Sequence, residues 1–145
     1  MDKPTHHDVE VILKLYELRR DDRMRKARSW LFGYKAGNAA EHQAACPPGS
    51  DQDAFYRMVT SYWDMAASFV TSGAVNKELF LQSAGELLFV WEKTKATIAD
   101  TRKVTSNPNY YSNLETVAQA LIDNMNRANP KAYEAFSARI RGMGA

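Results

Sequence analysis

Cysteine is almost absent from this chain of 145 residues, which contains only Cys46. A single cysteine cannot form an intramolecular disulfide, and it cannot supply the paired thiolates of a zinc knuckle. No apolar run approaches the roughly 18 residues that a membrane helix needs, and the polar start of the chain has no signal-peptide core. The sequence therefore predicts a cytoplasmic protein without a membrane span.

Glycine and proline are also scarce, with 12 among the 145 residues, or about 8% against an average of about 12%. Alanine, the best helix former, occurs 20 times, whereas valine and isoleucine together occur 12 times. Because β-branched residues favour strands, this balance predicts an all-α fold. The length fits a single domain that covers residues 1–145.

The first helical pattern is the longest and covers residues 6 to about 33. When successive residues are placed 100° apart, its apolar side chains from Val9 to Tyr34 fall in one stripe about 100° wide. Thr5 can cap the start of this helix. We therefore expect a long first helix, or two collinear ones.

Four further helical patterns follow, and an Asn-Pro pair opens each of the last two. In both pairs the Asn can cap a helix whose first residue is the Pro. Residues 36–53 form a loop or a short helix in this interpretation, and residues 129–145 form a short C-terminal helix. The expected fold is an all-α, single-domain bundle of four to five helices. The four later patterns follow Ser50, Asn76, Asn107 and Asn129.

The same spacing predicts which side chains form the core of the bundle. Apolar residues that recur on one face of the third and fourth helices should be nearly buried. These residues are Leu87, Trp91, Leu114 and Leu121.

Patterns that carry catalysis or bind metals are missing from the sequence. His6 and His7 are adjacent, so on a helix they point about 100° apart and do not form a metal-binding pair. Cys46 has no charged neighbour in sequence that would lower the pKa of its thiol, and no glycine-rich phosphate loop occurs. We therefore expect a non-enzymatic protein with no catalytic residues, no metal and no cofactor.

Basic residues are concentrated between positions 14 and 35, where eight Lys or Arg face three acidic residues in a chain of net charge +2. Trp30, Phe32 and Tyr34 lie near the end of this stretch. A basic helix with aromatic residues can contact a phosphate backbone or an anionic membrane surface. The net charge is nevertheless small for a nucleic-acid-binding protein, so nucleic acid or another polyanion is the alternative partner rather than the leading one.

Arg20 and Arg23 fall inside the apolar stripe of a continuous first helix. Arginine is rarely buried without a partner, so this placement needs an explanation. In a first arrangement, the helix breaks near Asp21-Asp22 and both arginines reach solvent. In a second, they pair with carboxylates of another helix, such as Glu86 or Glu115.

In a third arrangement, the two arginines line a small pocket with Arg102 and Trp91. Guanidinium groups match carboxylate and phosphate geometry, so such a pocket would bind an anion. The candidate anion- or partner-binding residues are therefore Arg20, Arg23, Arg102 and Trp91.

A second apolar face on the first helix indicates a partner. Val11, Leu15 and Leu18 lie off its main stripe, and about 28 helical residues span roughly 42 Å. An apolar face of this kind is commonly covered by another element or another subunit. The leading hypothesis is a binding or protein-interaction module that forms a homodimer, unless residues 36–53 or the fifth helix cover that face.

Several short motifs, taken in order, resemble a known family. The motifs are Arg25-Lys26-Ala27-Arg28, Ser72-Gly73-Ala74-Val75-Asn76, Trp91 with Arg102 eleven residues later, Asn107-Pro108-Asn109-Tyr110-Tyr111 and Leu114-Glu115. From about Leu15 to Met125 the chain resembles the bacterial helical family catalogued as domain of unknown function 4760. The resemblance implies a helical fold and a bacterial origin. It implies no activity, because the family has no established one.

Overall fold

Helices account for most of residues 3–143, the part of the chain that the computed structural model describes. No strand occurs in this range, so the prediction of an all-α fold is confirmed. The predicted number of four to five helices is wrong. The helices are α1 (His6–Arg19), α2 (Asp22–Leu31), α3 (Ala39–Ala45), α4 (Asp51–Thr71), α5 (Lys77–Leu81), α6 (Gly85–Val104), α7 (Ser112–Ala128) and α8 (Ala132–Gly142).

The expected long first helix is divided into α1 and α2, so that prediction is wrong. Asp21 causes the break. Its Oδ2 accepts hydrogen bonds from the backbone N–H groups of Arg23 at 3.1 Å and Met24 at 3.2 Å. These bonds satisfy two donors that have no partner at the start of a helix, so Asp21 begins α2 instead of continuing α1.

The expected third helix is also divided, between α5 and α6. Ala84 precedes α6 without a side-chain cap, and it is almost fully buried. The break between α5 and α6 therefore coincides with the packing of a small buried residue and not with a side-chain cap. The short helix considered within residues 36–53 is present as α3.

The two Asn-Pro pairs form turns and do not cap helices. Asn107 Oδ1 accepts a hydrogen bond from the Asn109 N–H at 3.2 Å, and Asn129 Oδ1 accepts one from the Lys131 N–H at 2.9 Å. A side chain that bonds the backbone two residues later makes an Asx turn. As a result α7 and α8 begin at Ser112 and Ala132, not at the prolines.

The core is one cluster of apolar side chains from α1, α2, α4, α5, α6 and α7 and from the segments between helices, whereas α3 buries none of its residues. Within the core, α4 contacts α2, α6 and α7. Leu87 and Leu114 are fully buried and Leu121 nearly so, as expected. Trp91 is only half-buried and packs against the cluster from its edge, so the prediction of a buried Trp91 is wrong.

Asp8 anchors the start of α1 to the start of α5. Its carboxylate is almost buried and accepts hydrogen bonds from the backbone N–H groups of Thr5 at 2.7 Å and Asn76 at 2.9 Å. This link fixes α1 over the end of α4 and α5. None of the helices in the described range has the length and hydropathy that a membrane span requires.

Candidate functional site

The arginines that were predicted to contribute to one binding pocket have different partners in the structure. Arg20 is exposed, and its guanidinium carbon lies 5.9 Å from the ring centre of Tyr16. Arg23 is exposed as well and lies 3.7 Å from a carboxylate oxygen of Asp51. The break at Asp21 therefore carries both arginines to solvent, as in the first of the three arrangements.

Arg102 holds the corner between α6 and α7. Its Nε donates a hydrogen bond to the Tyr110 carbonyl at 2.8 Å, and its Nη1 donates one to Glu115 Oε1 at 2.7 Å. Tyr111, which follows Tyr110 in the chain, has a left-handed backbone with φ of 55°. Its hydroxyl lies 2.7 Å from Thr60 Oγ1. The motif from Arg102 to Glu115 therefore has a structural role, since it inserts two tyrosines between helices.

Trp91 lies on α6 about three turns before Arg102. Among the described residues, no hydrogen bond, ion pair or ring contact connects Trp91, Arg102, Arg20 and Arg23 with one another. Ligand binding at these four positions stays a prediction, and the structure does not gather them into one pocket.

Glu86 instead brings together two arginines that sequence analysis did not select. Arg28 Nε donates a hydrogen bond to Glu86 Oε1 at 2.7 Å, and Trp63 Nε1 donates one to Oε2 at 3.0 Å. Arg19 Nη1 lies 3.8 Å from the same Oε2. The second arrangement named Glu86 or Glu115 as partners of Arg20 and Arg23, but their partners are Arg19, Arg28 and Arg102.

A mainly apolar groove of about 300 Å³ opens beside this cluster. α1 forms one wall, and α4 and α5 form the other. The apolar and aromatic residues that line it are Ile12, Leu13, Leu15, Tyr16, Tyr62, Trp63 and Phe80.

Arg19 is the cation of this groove and lies between two aromatic rings. Its guanidinium carbon is 5.1 Å from the ring centre of Tyr16 and 5.2 Å from that of Trp63. The side chain is 15% exposed and donates no hydrogen bond within the described range, while its nearest carboxylate oxygen already accepts the Trp63 N–H. The N–H groups of Arg19 can therefore bind an acceptor that enters the groove.

An exposed apolar stripe on α1 borders the groove. Val9, Leu13 and Tyr16 are 43%, 56% and 51% exposed, and spacings of four and three residues place them on one face. Val11 and Leu15 face the core instead. Most side chains of the two apolar faces thus exchange the roles expected of them, but Ile12 of the main stripe packs against the core and Leu18 of the second face is 43% exposed. The break at Asp21 permits this exchange, because α1 need not continue the face that α2 buries.

Arg19, Trp63 and Phe80 are groove residues that sequence reasoning missed. The available signal was the spacing of Asp8, Leu15 and Arg19, which share one face of a helix. That face contains two charged residues, Asp8 and Arg19, so a search for apolar residues at helical spacing does not identify it.

Cys46 and His42 lie in a buried aromatic cluster away from the groove. The His42 ring centre is 4.2 Å from that of Tyr56. Burial lowers the pKa of His42 and raises the pKa of the Cys46 thiol to about 11, so both side chains are neutral at neutral pH. A neutral thiol is a poor nucleophile. Across residues 3–143, no group of three or more His, Cys, Asp and Glu side chains is placed to hold a metal ion.

In the described part of the chain, the protein is all-helical and has a mainly apolar groove beside its first helix. The family described as Domain of unknown function (DUF4760) matches residues 4–121, and the chain belongs to this family. No curated protein matches the chain, and no solved structure matches it. The family description assigns no activity, so the proposal for function depends on the geometry of the surface.

Proposed function

We propose that this chain is a non-enzymatic protein-interaction module that binds an apolar, acidic segment of a partner protein along α1. The observation that carries the proposal is the uncovered stripe of Val9, Leu13 and Tyr16 beside an open apolar groove. Neither the segment between α2 and α4 nor α8 covers this stripe. A partner helix laid against it would bury apolar side chains at the spacing that helix-in-groove recognition uses.

Charge supports an acidic partner. Arg19 lies in the groove without a hydrogen-bonded carboxylate, and Arg20 continues the exposed stripe without a carboxylate within 4 Å among the described residues. A carboxylate on the partner can form charge-assisted hydrogen bonds with either guanidinium group, and such pairs also fix the register of the bound segment.

A second copy of the chain is a weaker fit to the same surface. A two-fold interface presents the same patch on both subunits. Neither the stripe of Val9, Leu13 and Tyr16 nor Arg20 beside it supplies an acidic residue, so the same face of a second copy would offer Arg20 no carboxylate. The expected homodimer therefore competes with a partner protein for this surface, and the experiment must distinguish the two.

The alternative function, polyanion binding by the basic segment, has less support. Lys14, Arg19, Arg23 and Arg28 each lie within 4 Å of a carboxylate. Arg19 and Arg28 share the single carboxylate of Glu86, so three carboxylates offset part of the charge of the eight cations in residues 14–35. This reduces the charge available to a phosphate backbone.

The direct experiment is selection of peptides from a random displayed library against the full chain. We expect enriched peptides to combine large apolar residues at helical spacing with Asp or Glu. Binding of these peptides should weaken at least about tenfold in Leu13→Glu and in Arg19→Gln. Val104→Glu is the matched control, because Val104 is 69% exposed at the far end of α6, and it should bind as the wild type does.

Three results would overturn the proposal. Selection could yield no enriched peptides, or the enriched peptides could bind Leu13→Glu as well as the wild type. Light scattering could instead show a dimer that Leu13→Glu converts to a monomer, which would assign the stripe to a second copy of the chain.

A further inference from the structure

A second cavity, of about 430 Å³, lies between α6, α8 and the turn that follows α2. It shares no lining residue with the α1 groove. Five charged side chains line it: Lys35, Glu92, Lys93, Lys95 and Arg141.

The negative charge of the acidic side chain in this lining, Glu92, is already balanced by a neighbouring lysine. Glu92 has 2% of its side chain exposed and accepts hydrogen bonds from Lys95 Nζ at 2.9 Å, from Ser137 Oγ at 2.8 Å and from the Tyr133 hydroxyl. Burial opposes ionisation, but these hydrogen bonds together hold the pKa of Glu92 below its ordinary value. Glu92 is therefore ionised at neutral pH, and Lys95 balances its charge.

Three cations remain without a carboxylate partner among the described residues. Lys93 Nζ donates a hydrogen bond to the Phe32 carbonyl at 2.9 Å, and Arg141 Nη1 donates one to Ser137 Oγ at 3.0 Å. These acceptors are neutral, and Lys35 is exposed. The cavity thus has an excess of three positive charges around a space that holds no side chain.

Lys35 and Lys93 lie close enough to repel each other. Burial, and then the positive charge of Lys35, lower the pKa of Lys93. Like charges held close together cost free energy that an anion between them would recover.

We propose that this cavity binds a small multivalent oxyanion of the phosphate-ester class, held by Lys35, Lys93 and Arg141. Three cations match an anion of two or three negative charges, and Arg141 offers the forked donor geometry that phosphate oxygens accept. The cavity is larger than one phosphate group, and Tyr34 and Ile140 also line it. These two residues give the organic part of the molecule an apolar surface.

Pyrophosphate is the probe for this site, with binding to the full chain measured by titration calorimetry at constant ionic strength. We expect saturable binding that weakens about tenfold or more in the double variant Lys35→Gln/Arg141→Gln. Both residues are exposed, so the folded protein should tolerate these changes. The control is Lys103→Gln/Lys131→Gln, which removes the same number of charges from exposed positions outside the cavity.

The control should keep the wild-type affinity. Equal weakening in both double variants would show a general charge effect and would overturn the proposal, as would the absence of saturable binding to the wild type. Neither result bears on the α1 groove, because the two sites have no residue in common.

Discussion

At the scale of single residues, Glu86 is the centre of the polar contacts beside the groove. Arg28 and Trp63 donate hydrogen bonds to its two oxygens, and Arg19 lies within ion-pair distance. Its side chain is 21% exposed, so removal of its charge leaves two arginines partly desolvated without a counter-ion. A partly buried acceptor with charged donors contributes more than an exposed ion pair.

We expect Glu86→Gln to lower the free energy of unfolding by about 1–3 kcal/mol. The control is Arg23→Gln, because Arg23 and Asp51 have 54% and 78% of their side chains exposed, and such pairs contribute about 1 kcal/mol or less. Urea denaturation of the two variants measures the difference. Equal, small effects of both changes would show that Glu86 does not hold the cluster together.

Asp8 is the residue whose charge links stability to pH. Hydrogen bonds from the backbone N–H groups of Asn76 and Thr5 lower the pKa of Asp8 below its ordinary value. A carboxyl with a lowered pKa in the folded state contributes stability above its unfolded pKa, and this contribution is lost as the pH falls through the folded value. The loss therefore begins near pH 4 and continues below it.

We expect the unfolding temperature of Asp8→Asn to fall less steeply than that of the wild type as the pH decreases from about 5 to about 2. Glu10→Gln removes a carboxylate that is 74% exposed on the same helix, so it should change the slope less. Circular dichroism at a series of pH values gives both curves. Parallel curves for Asp8→Asn and the wild type would contradict the role of Asp8.

At the scale of helices, the break at Asp21 decides which side of α1 meets the core. α2 buries Met24, Ala27 and Leu31, whereas α1 buries Asp8 and Leu15. In one continuous helix, the period of the α2 residues would turn Val9, Leu13 and Tyr16 inward. The capping hydrogen bonds of Asp21 remove that constraint, and the exposed stripe is the consequence.

Asp21→Ala should destabilise the protein by about 1 kcal/mol, which is the usual cost of a lost N-cap. Asp22→Ala is the control, since Asp22 only faces the positive end of the α2 dipole and should cost about 0.3–1 kcal/mol. Thermal unfolding of the two variants provides the comparison. A smaller effect for Asp21→Ala than for Asp22→Ala would show that the cap does not define the break.

Parts of this architecture could be predicted from the sequence, and the reasons for the misses are local. Ser50 begins α4 as expected, because its side chain accepts a hydrogen bond from Asp53 at a clear change from loop to helical spacing. The break between α1 and α2 could be located from the sequence, because Asp21 is a residue type that caps helices. The break before α6 could not be located in this way, because Ala84 offers no capping group. Tertiary packing overrides helix propensity at this position.

At the scale of the whole molecule, the sequence indicates which charged residues are candidates for ion pairs, but it does not predict which of them lie in contact. One of the three arrangements considered for Arg20 and Arg23 paired them with Glu86 or Glu115, but these carboxylates contact Arg19, Arg28 and Arg102 in the structure. The cavity with Lys35, Lys93 and Arg141 joins residues from three separate segments. No periodic pattern brings such residues together, so only the packed structure could indicate this site.

α1 presents one face to the core and, in the function proposed above, leaves the other face for a partner. The free energy of unfolding of Leu13→Glu, compared with that of Leu15→Ala, tests this claim without knowledge of the partner. Leu13 is 56% exposed and Leu15 is 7% exposed. We predict a change within about 0.5 kcal/mol for Leu13→Glu and a loss of about 2–4 kcal/mol for Leu15→Ala. A loss above about 2 kcal/mol for Leu13→Glu would contradict the account, because it would show that the stripe is already covered.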